Sequence, residues 1–311
     1  MTRPRQVLPG CFYLVTRRTA QQQYLLYPDA TTRNAFRFCI ERAATEHGID
    51  VIGYCAMSNH YHAVIFDRYG NYPRFLELFH LLIARSMNTR WGRKDSFWSA
   101  TQTSVVLLPN VETIVDKLAY TFTNPVKDLI VEDMSEWPGA SGYRAFLSGK
   151  AVRATRPQFF FKGRNGTHPA RVELQLVIPP ELGDPDRFRA RVQKAVELRL
   201  LELAWEREQA GTRCVGLAVA LARTWRYIPD EPVARGGRAT TISPTFASKE
   251  RELRAYILAV RADFLDDYRA ARELWLAHKK CEFPVGTYWL ARHARVRVGE
   301  ALIGPVVLLR G

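Results

Sequence analysis

Two histidines separated by a single residue are the first feature of this 311-residue sequence that could do chemistry. His60 and His62 lie within residues 57–66, and an apolar run follows them directly. In an extended strand, residues i and i+2 point to the same side, so both imidazoles would project together while Tyr61 points the other way. Two imidazoles on one face can supply half of the ligands of a divalent metal ion. Because so short a pattern also occurs by chance, the surrounding sequence has to decide between a metal site and two ordinary histidines.

A second polar pair lies further along the chain, on a predicted helix over residues 111–123. Tyr120 interrupts the apolar pattern of that helix, and Asn124 follows it by four residues, which places both on one face if the helix continues that far. Pro125 disfavours helical backbone at Asn124, so we expect the helix to end or bend there. A tyrosine hydroxyl can be a nucleophile that forms a covalent intermediate, and an amide oxygen suits Mg²⁺ or Mn²⁺. The combination predicts a composite centre in which a metal ion held by the histidines neutralises a phosphodiester that the tyrosine attacks.

The elements that must position these residues follow the order β–α–β–β–α–β–α in the first half of the chain. That order is close to the split βαβ, ferredoxin-like arrangement, in which helices pack on one face of an antiparallel sheet. The histidine strand is expected inside the sheet, because a short connection joins it to a hairpin partner. The predicted strands cover residues 11–16, 49–55, 60–66 and 103–107, and the predicted helices cover residues 28–48, 73–92 and 111–123.

The chain divides into two predicted domains, 1–150 and 151–311, joined by a linker over residues 147–157. The second domain is predicted to be basic and mainly helical. The two helices between residues 188 and 225 could form a helix-turn-helix for duplex DNA, but an ordinary helical accessory region is favoured because helix pairs are common. Its predicted helices cover 184–209, 214–225 and 248–278, its strand-like segments are 159–162, 172–177 and the tail from 283, and its Gly/Pro/Arg-rich loop is 229–244.

The formal net charge is +14, from 45 Lys and Arg against 31 Asp and Glu. Residues 151–311 carry most of the surplus, with 28 basic against 18 acidic side chains. A surplus of this size favours an anionic partner, most often nucleic acid, and predicts that affinity falls steeply with salt. The arginines expected to contact phosphate are Arg3, Arg5, Arg17, Arg18, Arg85 and Arg90.

The cysteines and the N-terminal residues indicate the compartment. The five cysteines form no CxxC pair and their number is odd, which argues against a disulfide framework or a structural zinc site. The first residues lack the apolar core of a signal peptide, and no apolar run approaches the length of a transmembrane helix. We therefore expect a cytoplasmic, nucleoid-associated protein with no membrane partner.

Four segments of the chain resemble the motifs of a known family, in the same order. Residues 57–62 (MSNHYH) are similar to the MPNHxH signature of the HUH-type single-strand transposases, and residues 120–126 (YTFTNPV) to their YxxxNPV segment. Residues 9–17 (PGCFYLVTR) resemble the opening PGxxYHVxxR strand, and residues 137–143 resemble the closing W-x-WSSY stretch. The match covers about residues 8–146 and is most specific for the REP-associated tyrosine transposases.

The resemblance implies a metal-dependent endonuclease that acts on single-stranded DNA. His60 and His62 would bind Mg²⁺ or Mn²⁺, and Asn124 matches the third position on the metal side. Tyr120 would attack a DNA phosphate, leaving a 5′-phosphotyrosine and a free 3′-OH, and strand transfer (transposition) would reverse that step with a different 3′-OH. The implied substrate is an imperfect hairpin with a single-stranded flank, bound by a monomer or a homodimer.

Three positions depart from the family pattern, and two other functions stay open. Ser58 stands where the family has proline, Leu14 where it often has histidine, and Lys127 where it has arginine. None of these changes removes a catalytic group, so activity stays the expectation. One alternative is a catalytically silent DNA-binding regulator derived from such a transposase. The other, a small-molecule metallohydrolase, is disfavoured by the basic charge and by the lack of further acidic or histidine ligands near the pair.

Overall fold

A computed structural model describes residues 4–159, 168–229 and 245–300. Most of the strand predicted at 159–162 and of the loop predicted at 229–244 lies outside the described residues. The strands are β1 (Cys11–Arg18), β2 (Ile49–Ala56), β3 (His60–Asp67), β4 (Ser104–Leu108), β5 (Val152–Thr155) and β6 (Arg171–Leu174). The helices are α1 (Ala30–His47), α2 (Tyr72–Trp91), α3 (Val111–Phe122), α4 (Asn124–Lys127), α5 (Tyr143–Ser148), α6 (Pro185–Gln209), α7 (Leu217–Ala222), α8 (Arg251–Leu276) and α9 (Trp289–His293).

The first four strands form one antiparallel sheet in the order β2-β3-β1-β4. The histidine strand β3 is interior, with its hairpin partner β2 on one side and β1 on the other. Across the β1–β3 pair, Thr16 lies opposite His62 and Arg18 opposite His60. This strand order confirms the predicted fold class, a ferredoxin-like antiparallel sheet followed by a mostly helical region. An interior strand has hydrogen-bonded neighbours on both edges, so it holds its side chains in fixed positions.

Helices cover both faces of the sheet, whereas the prediction placed them on one face. Tyr61 points toward α1 and α2, with its ring 5.7 Å from Phe36 and 5.3 Å from Phe79. The opposite face, which carries both histidines, is covered by α3. There Gly53 lets the helix approach closely, because a Cβ at this position would lie 2.7 Å from the side chains of Leu118 and Phe122. Helix α3 therefore packs directly onto β2, beside the histidine strand.

Helix α3 ends where the sequence predicts that it ends or bends. Its last residue is Phe122, and a separate short helix, α4, begins at Asn124. Pro125 has no N–H to donate and disfavours helical backbone in the residue before it, which accounts for the break. Thr123 closes the end of α3 by donating its hydroxyl to the carbonyl oxygen of Ala119 at 2.8 Å. The break leaves Asn124 fully buried beneath the site.

The prediction of a linker over residues 147–157 is wrong, because β5 lies there and pairs with β6. Val152 and Ala154 alternate with polar residues, but this pattern is too short to identify a strand from sequence. In the structure Ala154 is buried, and the paired strands β5 and β6 pack on α1. The hydrophobic core continues from the sheet into this hairpin and on to Val196 in α6. Packing therefore crosses the predicted domain boundary near residue 150, and independent folding on either side stays a prediction.

Helix α6 lies along the outer side of α3. Phe188, Val192 and Val196 are buried in the shared core, and Arg191 forms an ion pair with Glu112 of α3 at 2.6 Å. A region outside the four motifs therefore covers the helix that carries Tyr120.

The remainder of the described chain follows the prediction except in the tail. Helices α6, α7 and α8 lie within their predicted ranges. The tail from residue 283 was expected to form a turn and then a strand, but its described residues form two isolated bridges, Gln6 with Thr287 and Phe283 with Val298, and the short helix α9. No helix among the described residues is both long and apolar enough to cross a membrane.

Candidate active site

The two histidines project from β3 onto the face that α3 covers. Their ring centroids lie 5.0 Å apart. Each Nδ1 atom has a polar neighbour: the hydroxyl of Thr16 lies 2.7 Å from that of His62, and the amide oxygen of Asn59 lies 2.8 Å from that of His60. These contacts fix the orientation of both rings and leave the two Nε2 atoms directed toward α4.

Asn124 meets these two Nε2 atoms. The Asn124 amide satisfies its hydrogen-bonding neighbours when its oxygen faces the histidines. In that orientation the oxygen accepts a hydrogen bond from Nε2 of His62 at 2.9 Å and lies 3.4 Å from Nε2 of His60. The amide nitrogen then donates to the two carboxylate oxygens of Asp128, at 3.3 and 3.2 Å. Asp128 thus holds the Asn124 oxygen toward the histidines. Three potential ligand atoms from a strand and a short helix converge on one point.

The electrostatic environment where these three atoms converge favours the neutral form of the His62 imidazole. Burial, reinforced by the nearby His60, Lys127 and Arg18, holds the pKa of His62 well below its ordinary value. A neutral imidazole is the form of histidine that binds metal ions. The site therefore keeps His62 ready to act as a ligand at neutral pH.

Tyr120 extends from α3 to the side of His62. The two ring centroids are 5.2 Å apart in an edge-to-face arrangement. The ammonium groups of Lys117 and Lys127 lie 5.8 and 5.4 Å from the tyrosine ring. Burial alone would lower the pKa of Lys127, but the charges of Asp128 and Tyr120 outweigh that effect and raise it, so Lys127 stays protonated. The half-buried tyrosine thus lies beside two ammonium groups and the imidazole of His62.

The residues present fit a divalent ion that accepts both nitrogen and oxygen ligands. Within the described parts of the chain, no group of three or more His, Cys, Asp or Glu side chains is placed to hold a metal ion. An ion at His60 and His62 would therefore depend on the amide oxygen of Asn124 as its third protein ligand. Such a mixed set suits Mn²⁺ better than Mg²⁺, which prefers oxygen.

The structure brings together four of the predicted site residues, His60, His62, Tyr120 and Asn124. Of the predicted DNA-binding arginines, Arg18 is exposed and lies across the strand pair from His60, on the face of the site. The other predicted arginines are elsewhere.

Arg3 lies outside the described residues. Arg5 donates to the carbonyl oxygen of Thr103 at 2.8 Å. Arg17 lies on the same face of the sheet as Tyr61 and donates to the side-chain hydroxyl of Thr103. Arg85 is exposed on α2. Arg90 forms two hydrogen bonds with Asp29, at 2.9 and 2.5 Å, and so joins α2 to the start of α1. A role for any of these arginines in DNA binding stays a prediction.

Five contacting residues were not among the predicted site residues: Thr16, Asn59, Lys117, Lys127 and Asp128. Thr16 is recognisable only from the register of β1 against β3, which a sequence does not show. Asp128 follows Asn124 by four residues, and that spacing on one helical face was the available signal. Lys127 stands in the motif itself, at the position where the family has arginine.

Comparisons with known proteins find only distant structural similarity to solved structures. No protein-family profile matches the chain, and no curated protein matches it. A REP-associated tyrosine transposase solved with a REP hairpin is 16% identical, with a TM-score of 0.38, over 48% of this chain and 86% of the other. A proposed transposase from Deinococcus radiodurans R1 is 15% identical, with a TM-score of 0.27, over 34% of this chain and 85% of the other. At these identities and TM-scores, the two neighbours establish neither a family nor an activity for this chain.

Proposed function

We propose that the protein nicks single-stranded DNA and transfers the cut strand, using Tyr120 as the nucleophile. The observation that carries the proposal is the 5.2 Å approach of the Tyr120 ring to His62, whose Nε2 atom converges with that of His60 on the amide of Asn124. The order of the motifs along the sequence supports the same function. The four residues lie together within a single chain, and the proposal therefore pairs each tyrosine with the histidines of its own chain.

The chemistry follows from the placement of these groups. The phenolic oxygen of Tyr120 attacks the phosphorus atom, a Tyr–O–P bond forms, and the bond to the 3′ oxygen breaks. The phenol loses its proton to solvent, and the departing 3′ oxygen takes one up, leaving a 5′-phosphotyrosine and a free 3′-OH. The protonated side chains of Lys117 and Lys127 attract the phosphate to the ring. A divalent ion held by His60, His62 and Asn124 would neutralise charge on the phosphate oxygens.

We propose a hairpin with a single-stranded flank as the substrate, because the tyrosine needs an accessible phosphate in an unpaired strand. Reversal of the same step with a different 3′-OH joins the flank to a new strand. This is the chemistry of transposition, and it requires no second nucleophile.

The test is covalent capture of DNA. The purified chain is incubated with end-labelled hairpin oligonucleotides carrying a single-stranded flank and Mn²⁺, and adducts are detected by denaturing electrophoresis and mass spectrometry. We expect an adduct on Tyr120 in the wild-type chain, no adduct in Tyr120→Phe, and DNA affinity within about twofold in both, because only the hydroxyl is removed.

An adduct in Tyr120→Phe would contradict the proposal. Binding by the wild-type chain without any adduct, in the presence of Mn²⁺ or Mg²⁺, would instead identify the silent DNA-binding regulator. A Lys150→Gln variant is a suitable control, since it removes an exposed lysine beyond the end of α5 that forms no ion pair among the described residues.

A further inference from the structure

Aromatic rings and arginines accumulate where residues 221–229 pack against the end of α2. The rings of Trp91 and Trp225 are stacked, with centroids 5.4 Å apart and planes inclined by 19°. The guanidinium of Arg226 lies 4.8 Å from the Trp225 ring, and that of Arg93 lies 5.8 Å from it. Arg223 lies 4.5 Å from the ring of Tyr227. Arg93, Arg223, Trp225 and Arg226 are termed the arginine–tryptophan cluster.

Within the part of the chain that the structure describes, the guanidinium groups of this cluster have no acidic partner. Arg93 donates to the side-chain oxygen of Gln23 at 2.8 Å, and Arg223 donates to the hydroxyl of Tyr24 at 3.3 Å, so both contact neutral groups. Across the described residues, neither they nor Arg226 form an ion pair with a carboxylate. Three guanidinium groups beside stacked indoles form a surface that attracts an anion carrying flat rings.

The cluster borders the candidate active site through the loop that follows β1. The backbone N–H of Thr19 donates to the carbonyl oxygen of Asn59 at 2.8 Å, and that of Leu26 donates to the carbonyl oxygen of Ser58 at 2.9 Å. The same loop carries Gln23, whose side chain donates to the backbone oxygen of Arg226 at 3.3 Å. The loop therefore joins the residues just before His60 to the cluster, and the exposed Arg18 stands at its start.

We propose that the arginine–tryptophan cluster binds the single-stranded nucleic acid segment that leads into the site of Tyr120. Guanidinium groups contact its phosphates, and a base stacks on the exposed plane of Arg226 above Trp225. An unpaired strand is the matching partner because its bases are free to stack, whereas those of a duplex are covered by their neighbours. This inference rests on the proposed function, because that function supplies the strand that leads to Tyr120. It gives residues 221–229, which lie outside the four motifs, a role in binding that strand.

The test measures binding of single-stranded DNA by the full chain with the cutting step suppressed. Fluorescence anisotropy is recorded with a labelled oligothymidylate of about 15 nucleotides, which cannot pair with itself, in EDTA. We expect Arg223→Gln and Arg226→Gln each to weaken binding about fivefold and to reduce the slope of log affinity against log salt by about 0.7 per lost phosphate contact. Arg254→Gln, at an exposed arginine of α8, serves as the matched control and should bind as the wild-type chain does.

A second pair of variants separates stacking from loss of structure. Trp225→Phe keeps an aromatic ring and should bind nearly as tightly as the wild-type chain, whereas Trp225→Ala should bind at least about fivefold more weakly. Thermal unfolding of each variant shows whether the segment is still folded. Arg226→Gln decides the question if Trp225→Ala unfolds, because Arg226 is exposed and its loss leaves the Trp91–Trp225 stack in place.

Unchanged affinity and salt slope in both arginine variants would overturn the inference. It would equally be overturned if these variants lost affinity only for a blunt duplex of mixed sequence. Failure of this inference is distinguishable from failure of the proposed function. If the wild-type chain forms adducts but the cluster variants bind DNA normally, only the proposed DNA-binding role of the cluster is wrong. If binding depends on the cluster but no adducts form, only the proposed nicking activity is wrong.

Discussion

His62 has a hydrogen-bonding partner at each of its two ring nitrogens. The Thr16 hydroxyl at Nδ1 both donates and accepts, and the Asn124 oxygen at Nε2 accepts. When Nε2 donates to Asn124, Nδ1 accepts from Thr16. For Nε2 to bind a metal ion, the proton has to move to Nδ1, where Thr16 can accept it. A hydroxyl at position 16 can therefore hydrogen-bond to both neutral tautomers of His62, with the proton on Nε2 or on Nδ1.

We predict that Thr16→Val lowers affinity for Mn²⁺ by about tenfold or more, because losing the partner of a ligating histidine typically costs that much. Isothermal titration calorimetry measures the effect directly. Thr16→Ser, which keeps the hydroxyl, should retain most of the affinity. Equal Mn²⁺ affinity in the wild-type and valine chains would show that Thr16 does not orient His62 for a metal ion.

The positions of the two histidines could be predicted from local spacing, but their contacts could not. The i, i+2 pattern placed His60 and His62 on one face of β3, as the structure has them. Tyr120 and Asn124 both approach His62, but the helix breaks between them, so the i, i+4 spacing on one continuous helix does not account for their position. Thr16 depends on how β1 pairs with β3, and the orientation of the Asn124 amide depends on Asp128 across a turn. The first contact is set by strand pairing between segments distant in sequence, and the second by the local conformation after the break at Pro125.

At the scale of elements, the distance between β2 and α3 sets the position of Tyr120 relative to His62. Gly53 lies at an irregularity in the pairing of β2 with β3, between Val51 and Gly53, and its missing side chain makes room for Leu118 and Phe122. The tyrosine is carried by the same helix turns as these two residues. The closeness of nucleophile and histidines therefore depends on a residue that touches neither.

We predict that Gly53→Ala reduces the rate of adduct formation by at least about tenfold, because a shift of about 1 Å in the nucleophile has effects of that order or larger. The added methyl group should also lower the free energy of unfolding by about 1–3 kcal/mol, as overpacking does. Single-turnover kinetics and chemical denaturation measure the two effects. Mn²⁺ affinity should change little, since its ligands lie on β3 and α4.

Gly299→Ala provides the matched control, because a Cβ there meets its nearest neighbours at 3.6 and 3.7 Å, which is ordinary contact. An alanine at position 53 that left both rate and stability unchanged would mean that α3 can move outward without displacing Tyr120.

The elements that sequence predicted well carry their own start and stop signals. Asp29 caps α1 by accepting from the N–H of Thr32 at 2.8 Å, and Gly48 ends the helix in the left-handed conformation. The four-residue strand β5 has no such signals and depends on α1 and β6 for its form. Helix α9 has only five residues, too few to show a helical pattern, and the tail that contains it was therefore predicted as a turn and a strand.

At the scale of the whole molecule, one hydrophobic core joins the motif-bearing region to α6. Phe188, Val192 and Val196 are 3%, 0% and 0% exposed, and they cover the outer side of α3. Burying three such side chains contributes roughly 5 kcal/mol, a large share of the stability of an ordinary domain. Helix α6 is thus part of the structure that supports Tyr120.

We predict that a chain of residues 1–150 lacks a cooperative unfolding transition and binds the dye ANS, because α3 loses its cover. A chain of residues 1–229, which retains α6, should unfold cooperatively and bind little dye. Near-ultraviolet circular dichroism during heating distinguishes the two. Cooperative unfolding of the 1–150 chain would establish that the predicted domain boundary is a boundary of folding as well.

The cover that α6 provides also affects how damaged copies of such a gene should be interpreted. A premature stop codon between Lys127 and Pro185 leaves His60, His62, Tyr120 and Asn124 in the translated product but removes the whole of α6. A survey that scores gene copies by their motifs would count such an allele as intact. We expect it to be a pseudogene, and an open reading frame through Gln209 is the minimum for a working copy.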